Sequence, residues 1–236
     1  MTLRLASINL HCGLDHRGRP FSVKEAVASL DADVLLVQEN WCRQGAESLA
    51  RTAAADCGYP TYVELAMTGD VPMAELEIVS GPAPEETGAW GLAVLSRLPV
   101  HRYATVDLGA APGDVVGDRA AQLVEIPLDA GVLRVVNVHL THRVLHGPRQ
   151  LRRLVAGLGT DGPPTVIGGD LNMFRPTVLL ARPYRPVVRG RTYPAHRPLL
   201  QLDHVLAGPG VAATNPAVLA AVGTDHRPVT VDVGLG

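Results

Sequence analysis

The chain has 236 residues, 47% hydrophobic and 19% charged, a balance that buries a sizeable core and excludes a disordered or collagen-like chain. Its 21 basic and 23 acidic side chains leave a formal charge of −2, without the global basic field that duplex-binding proteins carry. The cysteines Cys12, Cys42 and Cys57 are odd in number and form no Cys-x-x-Cys pair. That argues against a disulfide framework or a zinc site and predicts reduced thiols in a cytoplasm. Residues 3–10 alternate with the period of a half-buried strand, and the opening lacks the pattern of a leader peptide. Ser22 to Glu25 has capping-box spacing, and Val23, Ala26, Val27 and Leu30 follow at helical intervals. Residues 34–37 are wholly apolar, the mark of a central strand. Ala46, Leu49, Ala50, Ala53 and Ala54 predict a second helix; Leu151, Leu154, Val155 and Leu158 predict a later one. Further strands are expected at residues 92–95, 122–126, 132–138, 165–167, 204–207 and 229–233.

Early strands and helices alternate, whereas residues 92–138 read as consecutive strands. The mixture predicts mixed sheets with flanking helices rather than a doubly wound parallel sheet. No internal repeat and no linker is evident, so one domain over residues 1–236 is expected, and no apolar run approaches the ~20 residues of a membrane helix. Charge is unevenly placed. Residues 52–96 hold seven acids and no Lys or Arg, while residues 173–202 hold six arginines and no acid. The second stretch also carries Pro176, Pro183, Pro186, Pro194 and Pro198, which predicts irregular loop.

Polar residues fall at strand ends. Asn9 closes the first strand, Glu39 follows residues 34–37, His139 follows residues 132–138, and Asp170 with Asn172 follows residues 165–167. Asp203 opens another strand, and Asp225 with His226 precedes the last. In layered α/β proteins such ends meet at one edge, where ligands bind. Carboxylates, histidines and amides gathered there suit a hard cation such as Mg²⁺ or Mn²⁺ with acid/base groups beside it. Singly, each has an ordinary reading as a cap, a turn former or a satisfied histidine. The constellation carries the argument.

In order along the chain, Ala6-Ser7-Ile8-Asn9, Gln38-Glu39, Gly91-Leu92-Ala93-Val94-Leu95-Ser96-Arg97, Asn137-Val138-His139-Leu140 and Gly169-Asp170-Leu171-Asn172 resemble motifs of the endonuclease/exonuclease/phosphatase superfamily. Leu202-Asp203-His204-Val205 and Thr224-Asp225-His226-Arg227-Pro228-Val229 continue the resemblance, which spans nearly the whole chain. It implies a DNase I-like four-layer α/β/β/α sandwich of two mixed sheets with the site at one end. It also implies roles. Glu39 is the main metal ligand, with Asn9 close by and Asp225 on the same or a second ion. Asp203 orients His226, Asp170 and Asn172 place the attacking water and hold the phosphate, and His139 is a second phosphate contact. Whether His226 or Asp170 accepts the water proton stays open. Several nucleases of the group have an acid where this chain has His11, within an Asn-x-His-x-Gly variant of the motif. Metal ligation, phosphate contact and packing are all open for His11, with a site role preferred.

The expected activity is therefore Mg²⁺- or Mn²⁺-dependent hydrolysis of a compact phosphodiester or phosphomonoester by a monomer. The basic segment, Arg189 and Arg191 included, is expected to grip a phosphate. A DNA nuclease, including abasic-site cleavage, is the alternative, disfavoured by the charge balance and the 4% aromatic content. A catalytically silent binding domain is a remote third, because every core motif position is filled.

Overall fold

The computed structural model describes residues 2–78 and 83–236. Strand β1 (Thr2–Asn9) crosses over through helix α1 (Val23–Leu30) to β2 (Val34–Arg43). Helix α2 (Leu49–Asp56), β3 (Thr61–Ala66), β4 (Val71–Pro72) and β5 (Thr87–Ser96) follow. A second series runs β6 (Arg102–Ala110), β7 (Asp118–Leu128), β8 (Gly131–His139), α3 (Gly147–Leu158), β9 (Thr165–Asp170), the short α4 (Arg175–Val178), β10 (Arg185–Pro186) and β11 (Asp203–Ala207). Strands β12 (Val211–Val218) and β13 (Val229–Leu235) return to the first sheet.

The first sheet has the order β12-β13-β1-β2-β5-β3, with β4 also on β5; the second has the order β10-β11-β9-β8-β7-β6. Each is mixed, with one parallel pair at its centre, β1 with β2 and β8 with β9. The two sheets repeat one plan that no sequence repeat announces. In both, an antiparallel strand pair leads to a parallel pair joined through a helix, and further antiparallel strands complete the sheet.

Hydrophobic alternation builds the layers. Leu3, Leu5, Val34, Leu36 and Val94 of the first sheet face Val124, Ile126, Leu133, Val135, Val166 and Val205 of the second. The opposite face of the first sheet buries Ile8, Leu35 and Val37 under Ala26, Val27, Leu30, Ala50 and Ala53 of α1 and α2. That of the second buries Val136, Val138 and Ile167 under Leu151, Leu154 and Leu158 of α3. The α/β/β/α sandwich expected from the motifs is what these clusters form. Among the described residues, no helix is long and apolar enough to cross a membrane.

Local signals fix the helix starts. Ser22 caps α1, its hydroxyl accepting the Glu25 N–H at 3.3 Å. The second helix begins after Ser48, whose hydroxyl accepts the Arg51 N–H at 3.2 Å, so Ala46 lies before the helix rather than within it.

Candidate active site

The carboxyl ends of β1, β8 and β9, the bulge within β2 and the start of β11 converge at one end of the sandwich. Three site residues there have left-handed backbones: His11 (φ 46°), Glu39 (φ 50°) and Asn172 (φ 49°). Each such conformation costs about 1–3 kcal/mol and persists where surrounding structure imposes it, commonly at functional sites. For Glu39 the cause is a bulge. Val37 pairs with Ala93 and Asn40 with Gly91, so Gln38 and Glu39 together oppose one residue of β5. The bulge turns Glu39 out over the sheet end and leaves Gln38 buried between the sheets.

A polar clamp holds that bulge from the second sheet. Asn137 Nδ2 donates to the carbonyls of Val37 and Ala93, both at 2.9 Å, while its Oδ1 accepts Gln38 Nε2 at 2.7 Å. On the other side, Gly169 lies so close to β8 that a Cβ there would sit 1.9 Å from the Val138 carbonyl oxygen, with φ at +143° besides. Only glycine lets β9 deliver Asp170 against His139.

Around the resulting cavity of about 360 Å³ stand His11, Glu39, His139, Asp170, Asn172, Asp225 and His226. The His226 Nδ1 is 2.8 Å from Asp203 Oδ2, and its Nε2 is 3.7 Å from Asp170 Oδ2. Burial works against a charged imidazole here, yet the Asp203 and Asp170 carboxylates prevail and raise its proton affinity well above the usual value. His139 behaves oppositely. Burial pushes its pKa down to about 3 against the pull of Asp170, with the Arg119 cation adding to the fall. It is therefore neutral, and the Asn172 amide selects the tautomer. Asn172 Nδ2 donates to the Leu140 carbonyl at 2.9 Å and to His139 Nε2 at 3.0 Å, which leaves the His139 proton on Nδ1. That Nδ1 is buried and has no partner among the described residues.

Two expected roles change. Asn9 was expected in the metal set beside Glu39, but its Oδ1 accepts the His11 N–H at 2.8 Å. Its Nδ2 donates to Glu39 Oε1 at 2.9 Å and Asp170 Oδ2 at 3.2 Å, so Asn9 spaces two carboxylates. His11 places Nδ1 3.0 Å from the Leu14 carbonyl and Nε2 2.6 Å from that of Ile78. Two acceptors require two N–H groups, which leaves no lone pair for an ion and none of its N–H groups free for a substrate. Burial opposes that charge, while Glu39, Asp225 and the two carbonyls raise the pKa. His11 is a built-in cation beside Glu39 and Asp225, with its Nε2 3.7 Å from Asp225 Oδ2.

Arg189 and Arg191 are exposed, and neither lines the cavity. The arginine that does is Arg119, held by Asp114 at 2.7 Å, donating to the His139 carbonyl at 3.1 Å and lying 5.3 Å over the Trp90 ring. Trp90 in turn meets His139 at 5.1 Å between ring centroids, and Tyr193 meets His226 at 4.8 Å. Sequence reasoning missed these four. Trp90 directly precedes the Gly91 motif and Tyr193 interrupts the Arg/Pro-rich segment, but Asp114 and Arg119 carry no periodic signal.

A fit to a cation rests on Glu39. Its Oε2 is buried without a hydrogen-bond partner among the described residues, an arrangement that a bound cation would satisfy. Burial raises its carboxyl pKa, opposed by the His11 charge and reinforced by Asp225. Asp170, Asp203 and His226 also offer ligand atoms within 4.8 Å of one another, but the Asp203–His226 bond already occupies one nitrogen.

No curated protein matches the chain. Among solved structures, an endonuclease/exonuclease/phosphatase from Beutenbergia cavernae superimposes with a TM-score of 0.74 at 21% identity, covering 100% of this chain and 72% of that one. Sphingomyelinase C from Streptomyces griseocarneus gives 0.65 at 16% identity, covering 98% and 99%. A mannosyl-6-phosphatase from Bacteroides thetaiotaomicron gives 0.65 at 12%, covering 99% and 100%. At these identities the likeness establishes the fold. The Endonuclease/Exonuclease/phosphatase family model, however, matches residues 6–226, from β1 to His226 itself, and the chain belongs to that family.

Proposed function

We propose that the protein is a divalent-cation-dependent hydrolase of a compact phosphodiester or phosphomonoester. The observation that carries this is the Asp203–His226–Asp170 series, set across one cavity from the partnerless Glu39 oxygen. Glu39 and Asp225 are the residues that would hold the cation, and an all-oxygen pair favours Mg²⁺ or Mn²⁺. When bound, it supplies charge neutralisation to the phosphoryl group.

The chain's own groups do the rest. Asp170 accepts the proton of the attacking water, because His226 already holds its proton and is the poorer base. The free Oδ1 of Asn172 orients that water. As the water oxygen bonds to phosphorus, the ester P–O bond breaks, its oxygen leaves with the electron pair and takes a proton from solvent, and charge on the phosphoryl oxygens is met by His226 Nε2–H. Fixed donors of this kind stabilise a transition state without reorganising. Asp203 keeps His226 charged and oriented, and Asn172 keeps the His139 proton on Nδ1.

Chelation followed by add-back tests the reading. EDTA should abolish hydrolysis of bis(4-nitrophenyl) phosphate and 4-nitrophenyl phosphate, and Mg²⁺ or Mn²⁺ should restore it. Full turnover after exhaustive chelation overturns it.

A further inference from the structure

Exposed apolar side chains are unevenly distributed over this molecule. Ten large hydrophobic residues are exposed among those described, and six of them, Val115, Val144, Leu145, Phe174, Leu199 and Leu200, lie on loops around the cavity. These loops touch in series. Arg143, on the loop after β8, donates to the Gly113 carbonyl of the β6–β7 loop. At the start of α3, Gly147 packs against Met173, whose Cγ would lie 3.5 Å from a Cβ there. The Leu171 N–H donates to the Leu202 carbonyl at 3.0 Å, and Arg175 donates to the Val188 carbonyl at 2.8 Å. Together they make a continuous rim along the second-sheet side of the mouth.

Beyond the β6–β7 loop, which carries Asp114 and leads into Asp118, the rim is one-signed: residues 139–153, 171–178 and 187–202 hold eight arginines and no Asp or Glu. The facing wall, which supplies Glu77 and Ile78 to the cavity, belongs to the stretch with seven acids and no base. Val144 and Leu145 are 84% and 75% exposed, on the turn leading into α3, whose outer surface carries exposed Arg149, Arg152 and Arg153. Aliphatic tips flanked by guanidinium groups match one chemistry well: a surface with an apolar interior and anionic phosphates at its boundary. Nucleic acid would draw on the arginines but offers nothing to bare Val and Leu side chains, and the rim supplies one exposed aromatic, Phe174, for stacking.

We propose that this rim docks the protein on an anionic phospholipid surface, with the cavity mouth against the headgroups. Neither signal suffices alone, since stable attachment takes an apolar insertion together with a basic patch. The docking stands apart from the phosphoesterase reading, which it needs only to say what is done at the surface.

Co-sedimentation of the full chain with vesicles tests it without turnover. The protein should bind phosphatidylcholine–phosphatidylglycerol vesicles and bind phosphatidylcholine vesicles far more weakly, with attachment falling as salt rises. Val144→Ser with Leu145→Ser should weaken vesicle binding by roughly tenfold or more while hydrolysis of a soluble aryl phosphodiester is unchanged. Arg149→Gln with Arg152→Gln should weaken it by roughly tenfold through the charge contribution. Failure to bind the anionic vesicles, or binding indifferent to both double variants, overturns the proposal. So does a dimer in light scattering that the serine pair dissociates, because the patch would then cover itself. Duplex DNA that competes the protein off vesicles, with the serine pair binding DNA normally and vesicles undiminished, also overturns it. An inactive protein that still docks sinks the phosphoesterase reading alone.

Discussion

Among the side chains around the cavity, His226 is the most constrained: Asp203 on one nitrogen, Asp170 beyond the other and Tyr193 across its face. His226→Ala should lower kcat by roughly 10²–10³-fold, the usual cost of removing one fixed donor to a developing oxyanion. Asp203→Asn should act through the same imidazole, so the double variant should be little worse than the worse single one in steady-state assays. Multiplicative losses would mean the two work separately. A second residue pair answers to pH. Burial alone would raise the Asp114 carboxyl, but the Arg119 hydrogen bonds outweigh it and hold the pKa below the usual value. The pair's stabilisation is therefore complete above the unfolded carboxylate range near 4 and is lost as the pH falls through the depressed folded value. Asp114→Asn should cost about 3–5 kcal/mol at neutral pH, and thermal melts should show the deficit shrinking in acid. An equal Tm deficit at both ends of the pH range would show that the shift is not what stabilises the pair. Glu39, His139, Asp170, Asp203, Asp225 and His226 were legible in sequence because each is a polar residue beside an apolar strand run. The donor bonds of Asn9 to two carboxylates and of Asn172 to His139 were not, since an amide can point either end at a neighbour and only its partners decide.

Among the elements, β2 is where the site is made, because its bulge sets Glu39 and the bulge depends on Asn137 reaching across from β8. Asn137→Leu would strand the Val37 and Ala93 carbonyls in the core and leave the Gln38 amide with only the Ser7 hydroxyl. At about 1–3 kcal/mol for each unsatisfied group, the loss should be about 3 kcal/mol or more, a Tm fall of roughly 6–12 °C. Calorimetry checks the stability, and kcat should fall with it as Glu39 loses its fixed geometry. A wild-type Tm in this variant would remove the clamp from the account. Gly169→Ala should be at least as damaging, since the added carbon meets the Val138 carbonyl; soluble, fully active protein would contradict that. Central strands were readable from their apolar runs, but β3, β6 and β12 were not. All three lie toward sheet edges with many half-buried or exposed positions, and β12 also contains Pro216, so the hydrophobic pattern that announces a strand is diluted in each.

Across the whole molecule, the mouth takes Glu77 from the acid-rich stretch on one side and stands beside the arginine-bearing loops on the other, and a long duplex would have to lie over both. A compact phosphoester meets only the cavity between them. At equal metal and enzyme, kcat/KM should therefore be higher for a small phosphodiester than for plasmid nicking or an abasic oligonucleotide; the opposite order by orders of magnitude would favour the nuclease alternative. Composition displayed this charge division at once, whereas the repeated plan of the two sheets was invisible, because strand order is decided by long-range pairing and leaves no period in the chain. That repeated plan has a further consequence. Strand β13 runs antiparallel to β1, with Thr2 opposite Gly234, just as β7 runs antiparallel to β8 through a tight hairpin. Joining the two ends through a short glycine-containing turn would turn β12-β13-β1 into a meander like β6-β7-β8. New termini could then be opened between β5 and β6, outside both sheets. In such a circular permutant each sheet would be encoded by one uninterrupted stretch, with Asn9, Glu39, Asp225 and His226 in one and His139, Asp170, Asn172 and Asp203 in the other. The two stretches, expressed as separate polypeptides, should each bring half of the site and regain hydrolysis only when they combine.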